Sequence, residues 1–301
     1  MGLTEEIVER AAELSRDSQS LVAWLDRFAE RAATRGKIVD VSLEDWSYMF
    51  VGDVHGDLDS LIRALREAEA RGYPHSLRLV FLGDYVDRGP HQIEAVTVVL
   101  LLLSSYPDST IALRGNHEPP LHLVPHPHDL PVHLARRLGR VDGSRVYSRL
   151  LKIFELLPLA ALGDWGRLVA LHGGLPTRGW DVEGLGLREY LGGESESWVD
   201  AYTEILWNDP IESDVVRLES PRGVGYLWGR PVTEAAKRRG VELVVRGHEP
   251  CEKGYKLNHG EAVLTLFSRK GPPYFNERAC VYYVEKPERG LKFDGSGLIC
   301  W

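Results

Sequence analysis

The sequence is poor in cysteine, in long apolar runs and in excess positive charge. Its 301 residues include only Cys251, Cys280 and Cys300, scattered and with no CxxC pair. That pattern argues against a disulfide framework and against a thiolate zinc site, and it predicts free thiols in a reducing cytoplasm. The most apolar run, Ala95 to Leu103, is much too short to span a bilayer and reads as a buried helix. The opening stretch, MGLTEEIVER, is acidic and polar rather than signal-like. Glu6 stands where myristoylation after Gly2 prefers Ser or Thr. A formal net charge of -8 argues against a general nucleic-acid binder. The expectation is a cytoplasmic protein with neither a membrane nor a nucleic acid as partner.

What is present suits a folded chain: 44% hydrophobic and 27% charged residues allow a sizeable core. Residues 1–45 read as helical, with Ile7, Ala11 and Leu14 on one face and Leu21, Leu25 and Phe28 on another. They are expected to form an N-terminal extension packed on a catalytic domain spanning 46–301. From Trp46 onward, SYMFV, LRLVFL and TIAL read as strands, separated by helical DLDSLIRALREAEARG and QIEAVTVVLLLLSS. RLVAL, VELVV, EAVLTLF and ACVYYVEK add further strands. The rhythm predicts an α/β fold: a β-sandwich of two mixed sheets flanked by helices, rather than one doubly wound sheet.

Five apolar runs end in polar clusters. MFV leads to Asp53, His55 and Asp57; VFL to Asp84, Asp87 and Arg88; IAL to Arg114, Asn116, His117 and Glu118; LVAL to His172; ELVV to Arg246 and His248. Loops beyond the carboxyl ends of strands form the usual crevice of α/β folds, so these groups are expected to converge. A single GD or HGG is ordinarily a turn, but five such clusters in order are hard to explain as turns. Carboxylate, amide and imidazole ligands without sulfur suit borderline or hard divalent ions. Six of them exceed the needs of one structural zinc and suit two ions roughly 3.5–4 Å apart that share a carboxylate. An arginine beside such a pair can hold an anion, most naturally a phosphate.

GDVHG, GDYVDRG, RGNHE, LHGG and RGH, with LWNDP (206–210) and RGVGYLWG (222–229), together resemble the phosphoprotein phosphatase family. These are the serine/threonine protein phosphatases among the calcineurin-like metallophosphoesterases, and the resemblance spans roughly residues 46 to 270. It implies the metallophosphoesterase fold and two divalent metal ions, manganese first, with iron, zinc or cobalt as alternatives. It further implies that Asp53 and His55 bind one ion, that Asp84 bridges both, and that Asn116, His172 and His248 complete the second site. By the same resemblance Arg88 and Arg222 grip the phosphate, while His117, oriented by Asp87, is the general acid. The implied reaction is hydrolysis of phosphoprotein monoesters by metal-activated hydroxide, with no covalent phosphoenzyme.

The sequence departs from the family pattern in three places. The family's Ser-Ala-Pro-Asn-Tyr-Cys loop survives only as SRKGPPYFN, where Tyr274 is the candidate substrate-binding tyrosine. Residues 1–45 match nothing in the catalytic core. The segment after RGNHE carries His122, His126, His128 and His133, open to two readings: an extra metal site or a proline-stiffened loop. Two other functions compete with a phosphatase. A nucleotide or dinucleotide polyphosphate hydrolase would read GNHD and lack LWNDP and RGVGYLWG. A silent scaffold would have lost a ligand or the acid histidine, and all are present here. Regulatory partners are not legible.

Overall fold

The computed structural model describes residues 2–31, 36–41, 46–163, 166–178, 198–285, 293 and 295–301. Two mixed sheets lie face to face. One joins β2 (Ser47–Val51), β3 (Leu77–Phe81), β4 (Thr110–Ala112), β13 (Cys280–Val284) and β14 (Leu298–Cys300), in the order β14-β13-β2-β3-β4. The other joins β1 (Ile38–Val41), β5 (Ala160–Gly163), β6 (Leu168–Leu171), β10 (Leu243–Arg246), β11 (Tyr255–Asn258) and β12 (Val263–Leu266), in the order β1-β5-β6-β10-β12-β11. The expected two-sheet architecture is therefore present. A small third sheet, of β7 (Asp209–Pro210), β8 (Arg217–Glu219) and β9 (Tyr226–Trp228), was not read from the sequence.

The two-residue period of a strand sorts side chains between layers. Tyr48, Phe50, Val80 and Leu82 of one sheet meet Leu168, Ala170, Leu243, Val245 and Leu264 of the other in a common core. Their alternates Met49, Val51, Leu79 and Phe81 face outward onto helices. Val169, Leu171 and Val244 face the opposite outer layer, which includes Ile205 of α7 (Trp198–Trp207) and Val232 of α8 (Arg230–Arg238). Each fully buried Phe or Leu contributes about 1.5–3 kcal/mol, so alternation alone fixes which strand face points where.

Helices position the loops. In α3 (Leu58–Glu69), Leu61, Ala64, Leu65 and Ala68 form the buried stripe at helical spacing. Its N-cap is Asp57, whose side chain accepts from Ser60 N at 3.1 Å. In α4 (Gln92–Ser105) every residue from Gln92 to Leu102 is buried, as the apolar run predicts. After α5 (Leu130–Leu138) the chain turns at Gly139, with φ 83°, into α6 (Arg140–Leu156).

The first 31 residues supply α1 (Leu3–Arg16) and α2 (Ser18–Arg31). Ile7, Ala11, Leu21, Leu25 and Phe28 are buried in the core shared with α3 and α4. The N-terminus of α1 lacks a cap of its own. Glu69 supplies one from α3: its carboxylate accepts from Leu3 N at 2.9 Å, from Thr4 N at 3.1 Å and from Thr4 Oγ1 at 2.7 Å. The structure also places a strand, β1, within the region read as helical, pairing in parallel with β5. Four residues are too few for a period to show, and the partner lies far along the chain. Among the described residues no helix is long and apolar enough to cross a membrane.

The expectation of free thiols is overturned. Cys280 and Cys300 are directly paired partners on antiparallel β13 and β14, with Cα atoms 4.2 Å apart, and they form a disulfide. Strand register, invisible in linear spacing, brings them together. Only Cys251 is a free thiol, and it is buried. The cysteines therefore give no indication of a reducing compartment.

Candidate metal centre

Loops leaving β2, β3, β4, β6 and β10 meet where the two sheets abut. Asp53 forms a parallel bridge with Phe267, Gly52 N donates to Ser268 Oγ at 2.7 Å, and Ser268 N donates to Asp53 O at 3.2 Å. The crossing is tight. Gly83 has φ 104°, and a Cβ there would sit 2.5 Å from Gly115 Cα, so both loops require glycine. The site residues absorb backbone strain: His55, Asp84, Asp87, Arg88 and His248 have φ of 44°, 56°, 67°, 73° and 72°. Each left-handed non-glycine residue costs on the order of 1–3 kcal/mol and persists only where its surroundings over-determine it.

Glu118 does much of that determining, and the sequence reading gave it no role. Its carboxylate accepts from Asp84 N at 2.7 Å, Tyr85 N at 2.8 Å and Gly115 N at 3.0 Å, tying the β3 and β4 loops together. Burial and the charge of Asp84 push its pKa up to about 7.

The loops bring the candidate ligands together. His55, Asp84 and His117 form one group whose ligand atoms lie within 4.8 Å of one another, and Asp84, His172 and His248 form a second. Asp84 belongs to both. Asp53 Oδ2 is 3.7 Å from His55 Nε2, and Asp84 Oδ2 is 3.4 Å from the same nitrogen. Asp84 Oδ1 is 3.3 Å from His172 Nε2. The Asn116 amide oxygen lies 2.9 Å from His172 Nε2 and 3.1 Å from His248 Nδ1.

Several observations fit cations at this place. His55 Nδ1 bonds Val86 O at 2.8 Å and His172 Nδ1 bonds Leu82 O at 2.9 Å. A backbone carbonyl takes an N–H, so in each neutral ring Nε2 carries the free lone pair toward the carboxylates, the arrangement that orients metal-binding histidines. Asp53 Oδ2 and His248 Nε2 are buried without a hydrogen-bond partner among the described residues. Asn116 turns its oxygen toward other acceptors; turning the amide over would let its nitrogen donate to Asp84 and His172, whereas a central cation favours the oxygen-inward state. Electrostatics agrees. Burial and Asp84 raise Asp53 to about 6. Burial would lower His172, but Asp84 draws a proton onto it and raises it to about 9. That proton occupies the role a cation would take. Burial lowers His55 to about 3, leaving it neutral and able to coordinate.

Beside these groups lies a cavity of about 280 Å³, lined by Arg88, His117, Arg222 and Tyr274 among others. Arg222 Nε donates to Asp209 Oδ2 at 2.9 Å, and Asp209 Oδ1 accepts from fully buried Arg246 at 2.8 Å. Arg246 also donates to Gly173 O at 2.6 Å and Glu249 Oε2 at 2.8 Å, bracing the turns that carry His172 and His248. Arg246 of RGH and Asp209 of LWNDP, to which the sequence alone assigns no role, are structural braces. The Tyr274 ring lies 5.7 Å from that of His55, and burial followed by the Asp53 charge raises its hydroxyl to about 12. So placed, Tyr274 flanks the cavity despite the altered loop.

His117 Nδ1 is 2.5 Å from Asp87 Oδ2. The same oxygen is 2.7 Å from His128 Nδ1, whose Nε2 meets the Tyr147 hydroxyl at 2.9 Å. Asp87 Oδ1 accepts from Asp129 N at 2.9 Å and Leu130 N at 2.8 Å, the amides of the N-cap and the first residue of α5. Burial alone would raise Asp87, but the bonds from His117 and His128 outweigh it and hold the carboxyl well below its usual range. The histidine-rich segment runs from 119 to 129 as a loop beside the site, with Pro119, Pro120, Pro125 and Pro127, the second of the two readings. Its four histidines do not converge: His122 and His126 are exposed, and only His128 reaches the site, through Asp87.

A family model described as calcineurin-like phosphoesterase matches residues 47–252. The chain is 32% identical over 252 residues to serine/threonine-protein phosphatase C23G10.1 of Caenorhabditis elegans, covering 80% of this chain and 51% of that one. It thus spans about half the length of that relative. Over 285 residues it is 27% identical to the serine/threonine-protein phosphatase 6 catalytic subunit of Caenorhabditis elegans, covering 90% of this chain and 78% of that one. The fold is similar to that of a protein serine/threonine phosphatase from Saccharomyces cerevisiae, with TM-score 0.73, 20% identity, and coverage of 95% and 89%. It is more distantly similar to a cold-active protein-tyrosine phosphatase of a Shewanella species, with TM-score 0.51, 17% identity, and coverage of 82% and 76%.

Proposed function

The chain belongs to the calcineurin-like phosphoesterase family, and on that basis we propose that it hydrolyses phosphate monoesters on serine and threonine side chains of proteins. The observation that carries this reading is the placement of Asp84 in two ligand groups, facing a cavity that also presents Arg88, Arg222 and His117. The names of the sequence relatives support the substrate class.

Asp53, His55 and Asp84 would hold one divalent ion; Asp84, Asn116, His172 and His248 would hold the other. Bound there, such ions supply Lewis acidity toward phosphoryl oxygens and acidify water. Arg88 and Arg222 bring forked donors to the phosphate oxygens and neutralise their charge. Water attacks phosphorus as the bond to the seryl oxygen breaks. His117 gives that oxygen a proton, worth on the order of 10²–10⁴ in rate; of the two protons of the attacking water one stays on the phosphate and the other is released to solvent, from which the ring is reprotonated. Asp87 holds His117 by its other nitrogen and stabilises the charged ring. Inorganic phosphate and the alcohol leave, and no covalent bond to the protein forms.

The test is a panel of phosphoseryl, phosphothreonyl and phosphotyrosyl peptides, with a dinucleotide polyphosphate alongside. Each is assayed after chelation and re-addition of Mn, Fe, Zn or Co. Activity restored by metal on the seryl and threonyl peptides is the expected result. Hydrolysis of the dinucleotide alone would sink the proposal.

A further inference from the structure

A second cavity, of about 490 Å³, adjoins the first, and Arg88 lines both. Arg136, Arg269 and Lys270 also line it, opposed by only two carboxylates, Asp57 and Asp129. Those carboxylates are already engaged. Asp57 accepts from Ser60 N at 3.1 Å and Lys270 N at 2.8 Å; Asp129 accepts from Arg88 N at 3.0 Å and Gln92 Nε2 at 3.1 Å. Among the described residues the side chains of Arg88, Arg136 and Lys270 make no ion pair.

Arg269 is the most telling of the four cations. It is 2% exposed, yet its guanidinium hydrogen-bonds only to backbone carbonyls, His55 O at 3.3 Å, Lys270 O at 3.1 Å and Pro272 O, and otherwise lies 5.2 Å from the centre of the Tyr274 ring. Its Nε has no partner, and neither has the buried Nε2 of His133 on the same lining. A buried arginine with an unused donor and no ion pair, the charge of Asp57 offsetting only part of its burial, is costly unless an anion completes it. On a chain of formal net charge -8, a local excess of cations beside the phosphate cavity stands out.

We propose that this second cavity binds another anionic group of the substrate, a phosphate or carboxylate borne on the same peptide within a few residues of the scissile phosphoserine. Resting on the phosphatase reading above, this narrows the substrate class to acidic or multiply phosphorylated segments. Arg88 is the hinge between the two subsites, contacting the scissile phosphate on one side and its neighbour on the other. Forked arginine donors suit either oxyanion.

The test reads competition against hydrolysis of an aryl phosphate by the metal-loaded protein. The competitors share one sequence: a monophosphorylated peptide with neutral flanks, the same peptide with a second phosphoserine, and the same peptide with a glutamate in its place, scanned on both sides. At least one dianionic peptide is expected to inhibit about tenfold more tightly than the monophosphorylated one, the scale of one charge-assisted hydrogen bond. The phosphate and glutamate series then distinguish the two sources. In the double variant Arg136→Gln, Lys270→Met, both at the surface, that ratio should collapse toward one. No preference in the wild type, or a preference that survives in the double variant, overturns the proposal. Peptides that compete with the expected ratio but are never dephosphorylated would uphold the anion subsite and refute the protein-phosphatase reading instead.

Discussion

Replacing Asp87 by asparagine probes the proton-delivery step while nearly preserving shape. The amide oxygen can keep the two backbone N–H bonds from Asp129 and Leu130, at 2.9 and 2.8 Å. The amide nitrogen then faces the two imidazoles that Asp87 Oδ2 held at 2.5 and 2.7 Å. Each ring can answer by shifting its tautomer, so packing and hydrogen-bond number survive. What disappears is the negative charge that favours the His117 imidazolium. At a charge separation of about 4 Å and an effective dielectric of about 20, that charge is worth about 4 kcal/mol. His128 and the α5 amides draw on the same carboxylate, so about 2–4 kcal/mol is the reasonable range, or roughly 30- to 1000-fold in rate. The loss should fall on kcat/KM for a seryl phosphopeptide, whose alkoxide must be protonated. An aryl phosphate, leaving as a phenolate, should lose less than about tenfold. Metal content should stay close to the parent protein, while the thermal midpoint at neutral pH should fall, because a carboxyl held below its usual range stabilises the fold there. Equal losses on both substrates, with metal retained, would refute the assignment of His117 as acid and Asp87 as its support.

Other consequences can be checked independently. His172 is raised to about 9 without a cation, so a divalent ion must displace a proton; affinity should rise with pH up to that value, and calorimetry in buffers of different ionisation enthalpy should register proton release. Glu69 is held below its usual pKa, chiefly by the Thr4 hydroxyl. Its contribution is therefore present above the unfolded carboxylate value and lost as pH falls through the lower folded one. Glu69→Gln should accelerate hydrogen exchange across the first turn of α1 at neutral pH and make exchange there less sensitive to acid. Cys280→Ser removes a crosslink between residues 20 apart and should cost about 3 kcal/mol; an unchanged thermal midpoint in the variant, and in reduced parent protein, would show that the bond contributes nothing.

The core and the convergence of the polar loop ends were legible because each leaves a local mark. Alternation along SYMFV and LRLVFL dictates two-faced strands, and Asp53, Asp84 and His172 each follow an apolar run that ends at or beside a glycine. The unread features depend on contacts between distant segments. The four residues of β1 have no period to detect and acquire their role only beside β5. Cys280 and Cys300 look unrelated until β13 and β14 align. His128 sits in a tract with three other histidines, and nothing in its neighbours says that it alone reaches Asp87. Glu118 reads as an ordinary acidic residue after GNH, although it gathers three backbone amides from two loops.

Asp209 takes charge from two arginines at once, Arg222 through one oxygen and Arg246 through the other. It also lies 3.9 Å from the ring of His248. Neutralising it would strand the Arg222 guanidinium and leave Arg246 with Glu249 alone, next to the spot proposed for a divalent ion. The resulting repulsion acts on the ion, whereas an incoming phosphate would feel added attraction. Damage at this carboxylate should therefore surface as a starved centre that still captures oxyanions, the reverse of what its hold on Arg222 alone would suggest.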